Sequence, residues 1–260
     1  MITAVAFDLW ETLITEDGER AHAQTRLRLT RLERILAERG FGATAEAIEN
    51  AYRDLWRRCH ELYWINDRDV PCRRQIELFL ESLALDGASF DEPALDALEE
   101  AYAMAAVELP PSLVDGASDV LRDLKSRGLL LGLISNTGRT PGYALRRVLE
   151  ANGIGGLLDA MVFSNEHGHC KPVPSIFEEL RRGLGVAYEE IVFVGDNLYV
   201  DVHGAQRCGM RAVHFVPPVR GSAVAPPVEH DLTILPDATI SDLRELPELV
   251  AGILAAPRRV

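Results

Sequence analysis

The chain has 260 residues, 47% of them hydrophobic and 26% charged, with a formal net charge of -13. That balance belongs to a folded globular protein long enough for one large core or two modest ones, and excludes a disordered chain. The negative charge argues against a general nucleic-acid binder, which needs a basic surface to displace counterions; an anionic substrate stays open, because one local lysine and a metal outweigh the global field.

Thr3 to Leu13 reads TAVAFDLWETL. The run Ala4, Val5, Ala6, Phe7 predicts a buried strand of a parallel sheet, delivering Asp8 and, four residues on, Thr12. In open α/β sheets the ligand crevice lies at the carboxyl ends of the strands, where Asp8 would serve as nucleophile, metal ligand or helix cap. After a polar turn at residues 16–18, four helices are predicted, over about 19–38, 44–62, 71–85 and 92–108. Leu27, Ile35 and Leu36 sit at helix spacing in the first, and Gly40 closes it. Thr44 and Ala47 are placed like the first turn of the second, and Pro71 stands early in the third, where a missing N–H costs nothing. Pro110 and Pro111 end the fourth. Nothing between residues 16 and 110 reads as a strand, so this stretch is an all-helical insert.

An α/β rhythm then resumes: helix 115–127 closed by Gly128, strand 129–134, helix 138–152 with its start blurred by Pro141 and Gly142, strand 160–163, helix 174–183, strand 191–194, helix 199–208 and strand 211–215. Residues 217–227 hold four prolines and read as a surface loop, before a short strand near Thr239 and a helix over 241–254. Such alternation implies parallel pairing with right-handed crossovers. The expected fold is therefore α/β, with a Rossmann-like parallel-sheet core (residues 1–15 and 113–260) interrupted by a helical cap (16–112). Cys59, Cys72, Cys170 and Cys208 form no CxxC pair and read as free thiols. There is no basic-then-apolar leader and no run near the ~18 apolar residues of a membrane span. The expectation is a cytoplasmic monomer or homodimer with a small-molecule partner, and neither nucleic acid nor membrane.

Four strand ends converge, carrying Asp8 with Thr12, Ser135 with Asn136, Lys171, and Asp196 with Asp201. A carboxylate nucleophile needs a lysine to balance its charge, and a hydroxyl and amides to hold a transferring phosphoryl group. A second carboxylate beyond it is what Mg2+ requires, since oxygen ligands and water complete its shell. The segments FDLWETL, LISNTG, KPVPSIF and FVGDNLYVDVHGAQRCGM resemble, in order and spacing, the four motifs of the haloacid dehalogenase-like (HAD-like) hydrolase superfamily. The resemblance covers residues 3–13 and 113–255, and the insert stands where that family carries its C1 cap. It implies Asp8 as the nucleophile of a covalent aspartyl intermediate, with Thr12 in the catalytic set. It further implies Ser135 and Asn136 as binders of the transferring group, and Lys171 as the link between Asp8 and phosphate. The Mg2+ ligands it implies are Asp8, the Trp10 backbone carbonyl, Asp196 and Asp201.

One position departs from the family's phosphatases, most of which carry an Asp two residues after the nucleophile as general acid and base. This chain has Trp10 there, which resembles the 2-haloacid dehalogenase branch, where halide leaves as an anion. Glu11 replaces the usual Gly, one residue out of phase for the acid's task. The fourth motif pulls the other way, because GDN with Asp201 is the metal-binding form, and a carboxylate pair would repel a haloacid. The leading expectation is a Mg2+-dependent phosphatase of a small, anionic phosphorylated metabolite. An acyl phosphate or a nucleotide, with its good leaving group, could dispense with the acid. The alternatives are metal-free C–halogen hydrolysis and a catalytically impaired binding protein. Trp10 also reads as packing against the cap, His167 and His169 as a surface pair, and Cys170 as incidental. Trp56, His60, Tyr63 and Trp64, with Arg57, Arg58, Arg73 and Arg74, read as an aromatic seam with a solvated basic face, or as a pocket for a substrate arm. None of these is assigned to the site.

Overall fold

The structure is a computed structural model and describes residues 2–218 and 233–255. The segment 219–232, with most of the expected proline loop, lies outside the described residues. Eight strands are described: β1 (Ala4–Phe7), β2 (Ile14–Thr15), β3 (Ser112–Leu113), β4 (Leu130–Ser135), β5 (Ala160–Phe163), β6 (Ile191–Gly195), β7 (Arg211–Phe215) and β8 (Ala238–Ile240). Six of them form one sheet in the order β5-β4-β1-β6-β7-β8, and every pairing in it is parallel. β1 is central: Phe7 stands level with Leu133 of β4 and Val194 of β6.

Both faces of the sheet are covered, which is why its strands are continuous apolar runs. Val5, Phe7, Leu131, Leu133, Val192 and Val194 point to one face. There they meet α6 (Ala117–Ser126), α7 (Gly142–Ala151) and α11 (Leu246–Ala255). Ala4, Ala6, Ile134, Ile191 and Phe193 point to the other, against α9 (Pro174–Leu184) and α10 (Gly204–Cys208). α9 lies so close that a Cβ at Gly132 would come 2.8 Å from Leu180 Cδ1.

The insert is helical, with α1 (Gly18–Glu38), α2 (Ala45–Leu62), α3 (Cys72–Ser82), α4 (Glu92–Ala103) and α5 (Ala105–Glu108). Leu32, Leu36, Leu55, Ile76, Phe79 and Leu98 build its own apolar core. Asp17, Thr44 and Asp91 cap α1, α2 and α4 by accepting from the amides of Arg20, Ala47 and Ala94, each cap contributing about 1 kcal/mol. Where the chain leaves and re-enters the sheet, β2 and β3 pair antiparallel, Ile14 with Leu113 and Thr15 with Ser112. No helix among the described residues is long and apolar enough to cross a membrane.

Three elements differ from expectation near the sheet's carboxyl ends. α7 begins at Gly142 rather than 138, because residues 136–141 are held as a loop by contacts from the insert: Gly138 O accepts from Gln75 and Thr140 Oγ1 from Arg28. A short α8 (Ser164–His167) follows β5. The expected helix from 199 opens as a π-helical turn, Leu198–His203, before α10.

Candidate active site

Asp8 is the first residue past β1, and its amide donates to Val194 O at 2.8 Å, which fixes it at the sheet's carboxyl edge. Lys171 arrives from the loop before α9, through a cis Lys171–Pro172 bond. Its ammonium donates to Asp8 Oδ1 at 2.5 Å and to Ile134 O at 3.1 Å, and lies 2.7 Å from Asp201 Oδ1. Asn136 sets the lysine's backbone: Lys171 N donates to Asn136 Oδ1 at 2.8 Å, and Asn136 Nδ2 donates to Lys171 O at 3.2 Å. Thr12 Oγ1 donates to Asp8 Oδ2 at 3.3 Å. Ser135 is fully buried, its Oγ 3.5 Å from Asn136 O.

One oxygen each of Asp8, Asp196 and Asp201 lies within 4.8 Å of the others. The π-helical turn brings this about. Asn197 Oδ1 accepts from the amides of Tyr199 and Val200, and the turn swings Asp201 back so that its Oδ2 accepts from Asn197 N at 3.0 Å. π-helical turns recur at functional sites. A Cβ at Gly195 would come within 2.5 Å of Asp201 Cβ, so glycine is required there. Asp201 Oδ1 is buried, with the Lys171 ammonium in ion-pair contact at 2.7 Å. Three buried carboxylates gathered in an all-oxygen cluster fit a hard cation such as Mg2+.

Burial pushes the Asp8 carboxyl up to about 6; the Lys171 charge pulls against that rise and the Asp201 charge adds to it. Burial alone would depress Lys171, but Asp201 and Asp8 outweigh it and push the ammonium up, so it stays charged.

A cavity of about 400 Å³ opens over these groups, and Asp8, Trp10, Asn136, Lys171, Asp196 and Asp201 all line it. Thr12 and Ser135 lie behind its wall, fully buried. Trp10 is half-buried and packs its indole on the sheet core. Glu11 turns away: its backbone is left-handed (φ +60) and its carboxylate accepts from Thr15 Oγ1 at 3.1 Å, outside the cavity wall. That φ explains the family's usual Gly here, and costs a non-glycine residue about 1 kcal/mol. His167 is held by Glu179 and Ser175, away from the cavity, and burial pushes the Cys170 thiol up, leaving it inert. A larger, more open groove of about 890 Å³ between Gly40 and Leu85 holds none of the expected site residues.

A family model described as haloacid dehalogenase-like hydrolase matches residues 2–209. The chain belongs to this family. A phosphoserine phosphatase of Thermus thermophilus is 32% identical over 219 residues, covering 83% of this chain and 81% of that one. A ribulose-1,5-bisphosphate 5-phosphatase of Halopiger xanaduensis is 28% identical over 256 residues, covering 96% and 100%. Among solved structures, a 2-haloacid dehalogenase from Pseudomonas syringae pv. Tomato superposes with a TM-score of 0.65 at 23% identity, covering 97% of this chain and 100% of that one. That likeness shows the fold.

The HAD-like cavity also takes walls that sequence reasoning missed: Glu16, Gln24, Arg28, Tyr52 and Arg139. A signal was present for two of them. The inner face of α1 buries Gln24 and Arg28 ahead of Leu32, Ile35 and Leu36, so polar residues continue a core stripe at helix spacing. Glu16 is buried, and burial pushes its carboxyl up against the pull of Arg28 and Arg20. Asp69, also missed, ties the insert to the core. Its Oδ2 accepts from Thr137 Oγ1 at 3.1 Å and Ser164 Oγ at 2.5 Å, and its Oδ1 from Trp64 Nε1 at 2.9 Å. The insert's expected basic group is spent on solvated ion pairs: Arg57 with Asp54 and Glu61, Arg58 with Glu81, Arg73 with Glu99, and Arg74 with Glu77. Of the aromatic quartet only Trp56 lines the cavity.

Proposed function

We propose that this HAD-like hydrolase is a Mg2+-dependent phosphatase of a small phosphorylated metabolite, working through an aspartyl-phosphate on Asp8. The observation that carries the reading is the charge of the cavity floor: three carboxylates gathered within 4.8 Å against one buried lysine. Carboxylates outnumber the ammonium there three to one. At ~4 Å and an effective dielectric of ~20, each unrelieved pair costs about 4 kcal/mol, so the floor favours a divalent cation and repels a bare haloacid. Both phosphatase relatives support the same reading.

Asp8, Asp196, Asp201 and the Trp10 carbonyl would hold Mg2+, which when bound neutralises the phosphoryl oxygens. An Asp8 carboxylate oxygen attacks phosphorus, the new P–O bond forms, and the leaving oxygen departs with its bonding pair. Water then attacks the same phosphorus, freeing phosphate and restoring the Asp8 carboxylate. Lys171 holds Asp8 aligned and balances charge on the phosphoryl group. Asn136 orients Lys171 and, with nearby amides, receives the transferring group; Ser135, behind the wall, backs that loop, while Thr12 steadies the second Asp8 oxygen. Trp10 donates no carboxylic proton, so the chemistry suits leaving groups that depart as anions, such as acyl phosphates. We assign residues 1–15 and 113–260 to the catalytic core and 16–112 to a cap over the leaving group, in a cytoplasmic monomer or homodimer.

Metal-free C–halogen hydrolysis is the second reading, favoured by Trp10 alone. Phosphate release from a panel of phosphate esters and acyl phosphates, with Mg2+ or with EDTA, tests the first. Equal release in both conditions removes the metal's role, and halide release from 2-haloacids in EDTA replaces the proposal with the second reading. An Asp8→Asn variant that keeps every measurable function would leave only a non-catalytic protein.

A further inference from the structure

The cavity over Asp8 holds two guanidinium groups that the hydrolytic chemistry does not use, Arg28 on α1 and Arg139 in the loop after β4. Arg28 is spent. Its Nε donates to Tyr102 O at 2.9 Å, Nη2 to Thr140 Oγ1 at 3.3 Å and Nη1 to Gln24 Oε1 at 3.5 Å. Gln24 donates in turn to Glu16, and the Glu16 carboxyl feels the Arg28 charge.

Arg139 is not spent. Its guanidinium carbon lies 4.3 Å from the ring centre of Tyr52 and 4.8 Å from that of Trp56. Its Nη1 is buried with no hydrogen-bond partner, and no carboxylate among the described residues pairs with it. A buried cationic N–H left without an acceptor is destabilising, and the two rings offset that only in part. Its place is nonetheless well held. Asn136, three residues earlier, clamps the Lys171 backbone; Gly138 O accepts from Gln75 Nε2 at 2.9 Å, and Thr140 is bonded by Arg28. The backbone on either side of Arg139 is thus pinned relative to Asp8. A fixed guanidinium with an unpartnered donor, backed by aromatic faces, is suited to recognise a carboxylate or phosphate.

We propose that Arg139 binds a second anionic group, a carboxylate or a second phosphate, carried on the leaving group of the substrate. The substrate class is then a phosphomonoester or acyl phosphate with two anionic ends, one over Asp8 and one at Arg139. This inference rests on the phosphatase reading for the end over Asp8. The sequence hides it, because the serviceable arginine belongs to the core loop and not to the insert's basic cluster.

The test is calorimetric titration of the full chain with Mg2+ present, using phosphonates that cannot turn over: phenylphosphonate, its 4-carbamoyl and 4-carboxy derivatives, and 1,4-phenylene bisphosphonate. The 4-carboxy ligand is expected to bind at least about tenfold tighter than its neutral 4-carbamoyl isostere, the scale of one charge-assisted contact. In Arg139→Gln that ratio should fall below about threefold, with phenylphosphonate binding unchanged, and Arg139→Lys should restore part of it. The bisphosphonate separates a second phosphate from a carboxylate as the preferred end. A ratio near one in the native protein, a ratio kept in Arg139→Gln, or no phosphonate binding at all overturns the subsite. Phosphate release from the matching aryl phosphates is read in parallel. Release without the ratio removes the subsite and keeps the phosphatase reading; the ratio without release does the reverse.

Discussion

Lys171→Met separates the floor's electrostatics from its packing, because Met keeps most of the stem and removes only the charge. Lys171 is 2% exposed and touches Asp8 Oδ1 at 2.5 Å, Asp201 Oδ1 at 2.7 Å and Ile134 O at 3.1 Å. Breaking a buried pair from one side costs about 3–5 kcal/mol. In a chain of this size each kcal/mol moves the melting temperature by about 2–4 °C, so the metal-free variant should melt roughly 10 °C lower at about pH 7.5. The pH sign follows from Asp8. Its folded carboxyl sits at about 6, above the unfolded value of 3.8. Its contribution to stability is therefore present below about 3.8 and lost as pH rises through about 6. Without the lysine the carboxyl rises further, so the variant's deficit grows above about pH 6 and shrinks near pH 5. Scanning fluorimetry in EDTA at both pH values reads this, with Mg2+ expected to recover part of the loss. A shift under about 2 °C at the higher pH, or an equal shift at both, refutes the account. Phosphate release should fall by at least about 10³-fold.

Mg2+ must displace the Asp8 proton, so its affinity by calorimetry should weaken about tenfold per unit below about pH 6 and level off above about pH 7; a flat profile down to about pH 4.5 contradicts the ligand set. Gly195→Ala forces a methyl against Asp201 Cβ, which should cost about 1–3 kcal/mol by denaturant melt and at least tenfold in Mg2+ affinity. Unchanged Mg2+ affinity there would show that Asp201 is not positioned as described. Asp69→Asn keeps volume but turns one acceptor into a donor facing Thr137 and Ser164, at a cost of about 1–3 kcal/mol, read as a lower melting temperature. Trp10→Asp should raise kcat on alkyl phosphates by about tenfold or more and leave acyl phosphates little changed; equal effects on both would show that no acid is missing.

The sheet was legible because each core strand is buried on both faces, so its apolar run survives in sequence and ends on a polar residue. Asp8 after Ala4–Phe7 and Asp196 after Ile191–Gly195 are the clearest cases. Local chemistry also exposed part of the insert, since Thr44, read as the first turn of the second helix, caps it and needs only that helix. What stayed hidden depends on contacts distant in sequence. The loop 136–141 lacks helix because Gln75 and Arg28, 63 and 112 residues away from their acceptors, hold it open. The π-helical turn at Leu198–His203 is set by Asn197 and by the space at Gly195, and no periodicity announces it. Glu11 looked one residue out of phase; its positive φ turns it out of the cavity altogether.

The contrast between the two sets of arginines shows which charges can discriminate a substrate. Arg57 and Arg74 lie among exposed carboxylates in water, where ion pairs are worth at most about 1 kcal/mol and exchange freely with solvent. Such groups steer encounter but cannot tell two bound leaving groups apart. Arg28 and Arg139 lie in the cavity wall, where the lower dielectric makes each unmatched charge costly. Arg28 is matched by the Gln24–Glu16 chain and so acts as part of the scaffold. Arg139 lines the same cavity and keeps one buried donor without a hydrogen-bond partner. Recognition of the leaving group is therefore carried by the loop that also bears Asn136, and through Asn136 by the segment that sets Lys171. The insert contributes the aromatic faces of Tyr52 and Trp56 that back the guanidinium. A substrate filling both ends thus draws on core and insert together, and its second charge bears on the loop that aims the lysine at Asp8.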